Sequence, residues 1–471
     1  MISFDSVTLK RFLEENSDFL SGARIQKIQQ PTRREFVLTL RNNGVTQKLY
    51  ININPQFYHI CFMSKESENT RLIEMPQKPP MFCMLLRKYL ENAKISKINQ
   101  PQYERILEFY IETYNELSEK IYLCLAIELM GKHSNVILYN YDTNIIIGCA
   151  HNVGAEKSRE REMMGGLPNV YPPHHSDNWY INKDSLSNNK GSINEIIDNY
   201  FAKQIANDKF KKLQEQFRQI VTKKIRKLEN SLEKMSRQQT SQDKADKYRL
   251  YGDLIMANLY NNSDFSHSIC VYDWEHDKNI TIDLDKTKTL KDNANRFYKL
   301  YNKAKTSNQK IGELSKKMHE DYLYLNQLLY SIESAQNIQD LFEISQEVEP
   351  QKIVTNIKKS ALEPQKIVDI NYTIWIGKNN KQNDFIVSKL AKDDDLWFHT
   401  KDCAGSHVLL RCNNITDELI LMCCRLAKEN SSGAKSSKIG VIYTKAKYLK
   451  KPPKANLGYV TYSNEEEIII D

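Results

Sequence analysis

The sequence predicts an α+β protein of several domains: an α/β N-terminal domain with duplicated β-units, a long antiparallel coiled-coil arm with a small tip, and an α/β C-terminal domain. Three observations lead to this prediction. Short β-like runs recur in the same order early in the chain, two later segments space their apolar residues by threes and fours, and alternating strands return near the end. The 471 residues are enough for several domains of ordinary size.

The N-terminal domain is predicted to span residues 1–172. It opens with an amphipathic helix in "DSVTLKRFLEENSDFL", followed by four β-like runs, a helix after Pro79 and Pro80, and five further runs. The runs "ARIQKIQQP" from Ala23 and "AKISKINQP" from Ala93 are alike in sequence and in position. We therefore expect an internal duplication of one β-unit.

A polar linker is predicted at 173–196, followed by an arm at 197–349 with a tip insert at about 237–296. Two apolar seams with coiled-coil spacing enclose that insert. The first seam comprises Leu213, Phe217, Ile220 or Val221, Ile225, Leu228, Leu232 and Met235, and the second comprises Ile311, Leu314, Met318, Tyr322, Leu325, Leu329 and Ile332. This order predicts an antiparallel hairpin of two long helices, and the alternative is two ordinary helices of a globular bundle.

A second linker, rich in Lys, Pro and Gln, is predicted at 350–367, and the C-terminal domain at 368–471. Strands are expected at "INYTIWIG", "DFIVSKL", "DLWFH", "HVLLR", "KIGVIYT", "GYVTY" and "EEIII", and one helix is expected after the cap residue Thr416.

Composition and charge restrict the class of protein. The net charge is +8, and residues 203–249 alone carry fourteen Lys or Arg against six Asp or Glu. Such concentrated basicity favours an arm that lies along RNA over a solvated helix with balanced charges. Nine cysteines without a CxxC pair argue against a disulfide framework or a zinc ribbon, so we expect a reducing cytoplasm, no metal and no cofactor. No signal peptide and no membrane span are expected.

The stretch "DLWFHTKDCAGSHVLL", residues 395–410, is dense in reactive side chains. A metal site lacks a convincing third ligand, and a nucleophile lacks a base on its own face of the strand, so catalysis is disfavoured. Trp397 and His399 alternate on one strand face and present rings able to stack on a base. Lys401 can meet a phosphate, and seven lysines lie in the flanking runs "KNNKQN" and "KAKYLKKPPK". The alternative is a buried tryptophan with satisfied core histidines.

Five stretches in family order carry a resemblance that covers nearly the whole chain. They are "LLRKYLENAKISKINQP", "ELMGKHSNVILYN", "DLDKTKTLKDNANRFYKLYNKAK", "GKNNKQNDFIVSKLAKDDDLWFHTKDCAGSHVLLR" and "YTKAKYLKKPPKANLGYVTYS". The chain resembles the NFACT family, whose bacterial members are ribosome-associated quality-control factors. The resemblance implies an RNA-binding C-terminal domain whose contacts include Lys378, Asn380, Lys381, Gln382, Asn383, Asp395, Trp397, His399, Lys401, Ser406 and His407.

The resemblance also implies a tRNA-binding site in the N-terminal domain. Glu104 and Arg105 match an acidic-Arg pair that holds the tRNA near its anticodon, although bacterial members usually have Asp in place of Glu. An arginine fork and a carboxylate suit a base edge, but such a pair is usually a solvated face. A second group surrounds Gly131 in a turn that presents side chains to RNA or merely closes a strand connection; it consists of Glu128, Lys132, His133 and Asn135.

The function implied is binding of large ribosomal subunits obstructed by peptidyl-tRNA, with recruitment of charged tRNA, typically alanyl-tRNA, for template-free tailing of the stalled chain. The ribosome would form the peptide bonds, so the protein is expected to be a monomeric factor without chemistry of its own. A glycosylase-like enzyme is the first alternative, but Ile2 replaces the N-terminal proline that its chemistry needs. A surface adhesin, suggested by the older name fibronectin-binding protein A-like, is the second. Family members commonly carry a helix-hairpin-helix module where this chain has only residues 173–196.

Overall fold

The computed structural model describes residues 4–101, 104–115, 118–156, 158, 160–173, 191–238, 242–260, 265–274, 276–349, 363–453 and 455–471. Most of both predicted linkers therefore lies outside the described residues, at 174–190 and 350–362. The chain forms two compact units, Met1–Lys211 and Lys212–Asp471. The sheets and long helices of these units confirm the predicted α+β class.

A nine-stranded antiparallel sheet organises the first unit, in the order β4-β3-β2-β1-β5-β6-β7-β8-β9. Its strands are β1 (Arg24–Thr32), β2 (Glu35–Asn42), β3 (Val45–Asn52), β4 (His59–Phe62), β5 (Lys94–Asn99), β6 (Ile106–Tyr114), β7 (Lys120–Glu128), β8 (Asn135–Asn140) and β9 (Ile146–Cys149). The nine predicted β-runs all correspond to these strands. Each half of the sheet follows one helix, α1 (Ser6–Leu20) or α3 (Met81–Leu90), and the short α2 (Lys65–Arg71) follows β4.

The two halves meet at β1 and β5 in a mirrored backbone pattern. The amide of Ile25 donates to the Ala93 carbonyl at 3.0 Å, and the amide of Ile95 donates to the Ala23 carbonyl at 2.9 Å. Both halves also break register at the same place, between Ile25 and Lys27 and between Ile95 and Lys97. Backbone hydrogen bonds and strand order thus repeat as the internal similarity predicted.

The core of the first unit lies between this sheet and the helices. Phe12 of α1, Leu86 of α3 and strand residues from both halves, such as Ile51 and Phe109, are almost fully buried in one cluster. Asp5 caps α1 by accepting a hydrogen bond from the Thr8 amide at 2.8 Å. Burial of this apolar surface supplies the main stabilisation of the domain.

The first turns of α4 (Ile193–Gln238) are fastened to the same unit by a buried ion pair. Arg71, with 0% of its side chain exposed, donates to the Asp198 carboxylate at 2.5 Å. Asp198 also accepts from the Ser64 amide at 3.0 Å, and the Arg71 guanidinium lies 4.8 Å from the centre of the Tyr50 ring. Phe201 of α4 stacks on His59 with ring centres 4.1 Å apart.

The second unit begins with the rest of α4 and continues through α5 (Gln242–Ala257), α6 (Leu290–Ser334) and α7 (Ile338–Val348). The Gln214 side chain near the start of this stretch of α4 donates to the Ile332 carbonyl near the end of α6, at 2.8 Å. This contact joins the early part of one helix to the end of the other, as the predicted antiparallel arm requires. Phe217 and Ile332 of the predicted seams are buried, whereas Leu314 is 46% exposed.

A small folded tip interrupts the helices. The strands β10 (Ser268–Asp273) and β11 (Lys278–Asp283) form an antiparallel hairpin. Ile269 and Ile282 of this hairpin pack with Leu254 of α5 and Phe297 of α6. The insert therefore has a core of its own.

A six-stranded antiparallel sheet forms the C-terminal domain, in the order β12-β13-β15-β14-β16-β17. Its strands are β12 (Gln365–Val368), β13 (Tyr372–Ile376), β14 (Leu396–Thr400), β15 (Val408–Cys412), β16 (Ile439–Lys445) and β17 (Glu466–Ile470). The helix α9 (Asp417–Glu429) begins after its cap Thr416, as predicted, and covers one face. Trp397 lies in a second apolar cluster with Trp375, Leu409 and Ile442 of the neighbouring strands.

Two strand predictions for this domain are wrong. The run "DFIVSKL" is helical, in α8 (Asn380–Phe385) and the π-helical turn Ile386–Leu390. Asn379 starts that helix by accepting a hydrogen bond from the Gln382 amide at 2.9 Å, which overrides the β-branched residues that follow. The run "GYVTY" forms only an isolated bridge, between Thr461 and Lys450.

Candidate nucleic-acid interface

Arg105 lies immediately before β6, at one end of the N-terminal sheet. Its backbone carbonyl accepts a hydrogen bond from the Leu129 amide at 2.9 Å, which fixes the backbone beside the β7–β8 connection. Its guanidinium Nη1 donates to the Tyr58 hydroxyl at 3.2 Å and lies close to the Tyr58 ring, 5.6 Å from its centre. Glu104 precedes it and anchors Gln100 through its carbonyl at 2.8 Å. Both predicted residues are half-buried, and Tyr58 fixes the direction of the arginine fork.

The connection between β7 and β8 turns at Gly131, where a left-handed φ of +63° favours glycine. A Cβ at Gly131 would lie 3.8 Å from the Tyr58 ring and 3.9 Å from the Pro55 carbonyl, so this turn packs against the β3–β4 loop. The next two residues, Lys132 and His133, are exposed. The structure therefore brings Lys132 and His133 to the end of the sheet that holds Arg105.

Glu128 and Asn135 lie beneath this turn and do not face solvent, which corrects the expectation that their side chains contact RNA. Glu128, 2% exposed, forms two contacts with the Arg161 guanidinium, one of them at 2.8 Å. Burial raises the pKa of its carboxyl, and the hydrogen bond and charge of Arg161 oppose that rise. Asn135 donates to the His151 carbonyl at 2.9 Å and accepts from the His151 amide at 3.0 Å. The polar groups of Glu128 and Asn135 therefore form hydrogen bonds within the protein that stabilise the turn.

The predicted RNA contacts of the C-terminal domain separate by exposure. Those with buried side chains are Asn380, Gln382, Asn383, Asp395, Trp397, Ser406 and His407. Those that are partly or fully exposed are Lys378, Lys381, His399 and Lys401.

The amide side chains near the start of α8 face the helix α7 at the base of the arm. Asn379 and Gln382 both donate to the Glu343 carboxylate, at 2.9 and 3.1 Å, and Lys381 donates to the Glu343 carbonyl at 2.7 Å. Asn380 donates to the Glu347 carboxylate at 3.1 Å. These donors hold the C-terminal domain against α7, so Asn380 and Gln382 do not offer free amides to RNA.

A second joint holds the turn at Gly405 against α6. Gln327 accepts from the Gly405 amide at 2.7 Å and donates to the Gly405 carbonyl at 2.8 Å. Asn383 accepts from the His407 amide at 3.0 Å and donates to the same Gly405 carbonyl at 3.3 Å. A Cβ at Gly405 would lie 2.9 Å from the Ser431 Cβ, so only glycine fits this close approach. The glycine therefore serves packing within the protein.

Trp397 and His399 stack on one strand face as predicted, with ring centres 5.8 Å apart and planes 6° from parallel. Trp397, however, is 1% exposed and also meets the edge of His407, at 5.1 Å between centres. Burial lowers the pKa of His399 to about 4, and burial together with the neighbouring His399 lowers that of His407 well below its usual value. The expectation that Trp397 stacks on a base is therefore corrected, because its faces are covered by the protein.

Asp395 and Lys401 are engaged in ion pairs. Arg411 binds the Asp395 carboxylate through two nitrogens, at 2.9 and 2.7 Å, and Lys401 reaches Glu467 at 2.6 Å. Three exposed lysines, Lys378, Lys447 and Lys450, make no ion pair within the described residues. These exposed lysines are available to meet phosphates.

Exposed cations also line α4 within the second unit. Lys223, Arg226 and Lys227 are exposed and form no ion pair with a described residue, whereas Arg218 is paired with Glu215 at 2.7 Å. The basicity seen in the sequence therefore persists on the helix surface. Among the described residues there is no group of three His, Cys, Asp or Glu side chains arranged to hold a metal. Within the same part of the chain, no helix has the length and apolarity needed to cross a membrane.

The family comparison covers almost the whole chain. The model of the NFACT N-terminal and middle domains matches residues 5–184 and 178–366, and the model of the NFACT RNA-binding domain matches 366–463. The chain belongs to the NFACT family. Its C-terminal NFACT domain is an RNA-binding domain, as the sequence motifs predicted.

Full-length relatives agree with this assignment. The NFACT chain is 26% identical over 566 residues to Rqc2 homolog RqcH of Bacillus subtilis, covering 100% of this chain and 98% of the relative. It is 27% identical to Rqc2 homolog RqcH of Streptococcus pneumoniae strain R6, with coverage of 99% and 97%. The solved N-terminal part of the Streptococcus suis fibronectin/fibrinogen-binding protein is 35% identical over 40% of this chain and 70% of its own, with a TM-score of 0.35.

Several residues important to these sites have no distinctive signal in the sequence. Tyr58 sits in an apolar run that reads only as a strand, and Gln327 is one polar residue on a long helix. Glu343 and Glu347 are four residues apart on α7, so the sequence predicts that they share one helix face. The sequence does not predict that their partners lie in α8.

Proposed function

We propose that this ribosome-associated quality-control factor binds large ribosomal subunits obstructed by peptidyl-tRNA and recruits alanyl-tRNA for template-free C-terminal tailing of the stalled chain. The observation that carries the tRNA proposal is Arg105, held by Tyr58 beside the exposed Lys132 and His133. The likeness to relatives named RqcH over the whole length of the chain supports it. We place the protein in the cytoplasm as a monomer whose partners are rRNA, tRNA and peptidyl-tRNA.

The arrangement at Arg105 suits recognition of a base or a phosphate. A guanidinium offers parallel N–H donors in a plane, and its position against the Tyr58 ring restricts its rotamers before RNA arrives. Glu104 is the adjacent acceptor group, able to receive a hydrogen bond from an exocyclic amine. The protein supplies positioning, and peptide bond formation belongs to the ribosome.

Binding to the subunit is assigned to the exposed cations of α4 and the C-terminal domain. Lys223, Arg226, Lys447 and Lys450 lie on the surface of the second unit. Because phosphate contacts release counterions, co-sedimentation with large subunits should weaken by orders of magnitude when salt is raised several-fold. Removal of residues 366–471 should weaken it further. Salt-independent co-sedimentation would contradict this assignment.

The proposed mechanism assigns no role to the helix-hairpin-helix module that is common in the family. The two matches to the N-terminal and middle-domain model meet at 178–184, within the stretch where that module would stand. The alignment with the Bacillus subtilis relative is longer than this chain, at 566 residues against 471. We therefore propose that tRNA recruitment here depends on the N-terminal domain without help from that module.

The test replaces Arg105 with alanine and measures the tRNA that co-purifies with the subunit complex. Loss of a bidentate contact worth about 1–3 kcal/mol should lower tRNA occupancy about 5–150-fold, while subunit binding persists. Glu104→Asp, which restores the usual family pair, should be tolerated. Arg41→Ala is the matched control, since Arg41 is an exposed arginine near the C-terminal end of β2. Unchanged tRNA in Arg105→Ala would remove this site, and a collapsed melting temperature would make Arg105 a structural residue.

A second candidate function is binding of fibronectin, because the solved Streptococcus suis relative is named a fibronectin/fibrinogen-binding protein. Binding of the purified chain to immobilised fibronectin at physiological salt, undiminished by competing RNA, would favour it. Loss of binding on addition of RNA would identify a nonspecific contact of the basic surface.

A further inference from the structure

Arg34 is the counterpart of Arg105 in the other half of the N-terminal sheet. Arg34 directly precedes β2 and Arg105 directly precedes β6, which are the second strands of the two repeats. The Arg34 carbonyl accepts from the Ile53 amide at 2.8 Å, just as the Arg105 carbonyl accepts from the Leu129 amide at 2.9 Å. Ile53 and Leu129 each follow the third strand of their repeat. The two arginines therefore occupy the same place in the duplicated unit.

The loops that follow these equivalent strands meet. The loop after β3 brings Pro55 and Tyr58 to within contact distance of Gly131, in the loop after β7. Tyr58 from the first repeat also receives the hydrogen bond of Arg105 from the second, at 3.2 Å. The duplication thus produces one junction at which loops of both repeats converge.

The turn between β1 and β2 places two cations near this junction. Arg33 and Arg34 are both exposed, and neither guanidinium forms an ion pair or a hydrogen bond with a side chain in the described part of the chain. Burial lowers the pKa of His151, and the nearby charges of Arg34 and Arg33 lower it further. His151 is in turn hydrogen-bonded to Asn135, beneath the Gly131 turn. The Arg34 carbonyl is hydrogen-bonded to the amide of Ile53, two residues before the Pro55 that meets Gly131, so both arginines lie close to the loop that carries Lys132 and His133.

The acidic neighbour of these arginines does not neutralise them from the surface. Glu35, the next residue, is only 7% exposed and accepts a hydrogen bond from the Tyr50 hydroxyl at 2.5 Å. The turn therefore presents two adjacent cationic forks while its carboxylate points into the domain. Such an arrangement suits a polyanion backbone, because guanidinium groups pair with phosphate oxygens without reading a base.

We propose that Arg33 and Arg34 form a second phosphate-contacting point of the N-terminal RNA site, related to Arg105 by the internal duplication. The inference rests on the proposed tRNA-binding function and adds its second point of contact. Arg105 and Glu104 set which nucleotides are accepted, and Arg33 and Arg34 hold the backbone of the same RNA without regard to sequence. Contacts at two points fix the orientation of the tRNA, whereas a contact with one arginine alone allows it to rotate.

The experiment compares Arg34→Ala, Arg33→Ala/Arg34→Ala, Arg34→Lys, Arg105→Ala and the control Arg41→Ala in the full chain. Binding of purified alanine tRNA is titrated over a series of salt concentrations, with melting temperatures measured in parallel. Each phosphate contact removed should reduce the slope of log K against log[salt] by about 0.7–0.9, so the double variant should lose more than Arg34→Ala. Arg34→Lys should keep the slope, and the profile of tRNAs recovered from a total tRNA mixture should stay unchanged in every Arg33 and Arg34 variant.

The outcomes separate the inference from the function on which it rests. If Arg105→Ala loses tRNA while the Arg33 and Arg34 variants match Arg41→Ala, the second contact point is overturned and the proposed site stands. If Arg105→Ala binds normally while the double variant has a reduced salt slope, the phosphate contact is supported and the role of Arg105 is overturned. A weaker affinity in Arg34→Ala with a lowered melting temperature and an unchanged salt slope assigns Arg34 to the fold and overturns the inference.

Discussion

Replacing Arg71 with methionine tests how the start of α4 is held to the N-terminal domain. The substitution keeps much of the side-chain volume and leaves Asp198 with the Ser64 amide as its remaining strong donor, at 3.0 Å. Breaking a buried ion pair by removing one partner costs about 3–5 kcal/mol. At about 1.36 kcal/mol per tenfold change, this corresponds to roughly 150- to 5,000-fold more frequent local opening. The surface pair of Lys48 and Glu68, with 41% and 37% of the side chains exposed, provides the contrast.

The measurement is hydrogen exchange followed by mass spectrometry on the full chain, with peptides covering 59–71 and 193–211. Arg71→Met should accelerate exchange in both, whereas Lys48→Met should change it little, because exposed pairs contribute about 0–1 kcal/mol. Arg71→Met/Asp198→Asn should recover part of the protection, since no unpaired charge stays buried. Exchange in Arg71→Met equal to that in Lys48→Met would refute the reasoning that this ion pair holds the helix.

Two further predictions concern the C-terminal domain. Trp397→Ala should destabilise the domain by about 3–5 kcal/mol through loss of buried volume. Lys450→Ala should instead weaken RNA binding while the melting temperature stays unchanged. If Trp397→Ala weakened RNA binding at full stability, the tryptophan ring would be an RNA contact after all. Because the pKa of His399 is held to about 4 in the folded domain and an unfolded histidine protonates near 6.5, the contribution of His399 to stability is complete above pH about 6.5 and is lost as the pH decreases towards 4. The free energy of unfolding, measured by denaturant titration with tryptophan fluorescence at pH 7 and pH 5, should fall by up to about 1.4 kcal/mol per pH unit for this histidine. A free energy of unfolding that is the same at both pH values would contradict a ring that stays neutral in the folded domain.

The strand pattern and the duplication of the N-terminal domain were accessible from the sequence because both are local. Alternation of apolar residues identifies each strand, and the likeness of the runs at Ala23 and Ala93 identifies the repeat. The meeting of Tyr58 with Gly131 was not accessible, because it joins residues far apart in the chain through the shape of the sheet. Arg105 could be selected from the sequence, but what holds it could not.

For the motif residues of the C-terminal domain, the sequence predicts which residues matter but not whether their side chains are exposed. Polar residues such as Asn380 and Gln382 look available in a sequence, since amides are usually exposed. In the fold they donate hydrogen bonds to the carboxylates of α7, which no periodicity in α8 could reveal. The run "DFIVSKL" that follows them was mistaken for a strand, because the side-chain cap from Asn379 starts a helix despite the β-propensity of Ile386 and Val387.

The mirrored hydrogen bonds between β1 and β5 have the form of a contact between two copies of one chain. Ile25 binds Ala93 as Ile95 binds Ala23, which is the reciprocal pattern of a twofold homodimer interface. A chain with a single repeat could therefore assemble the same sheet by self-association. Joining two copies in one polypeptide makes that association independent of concentration and frees each copy to change alone. The difference is visible where the second repeat buries Glu108 among tyrosine hydroxyls, whereas the matching position of the first holds Val37.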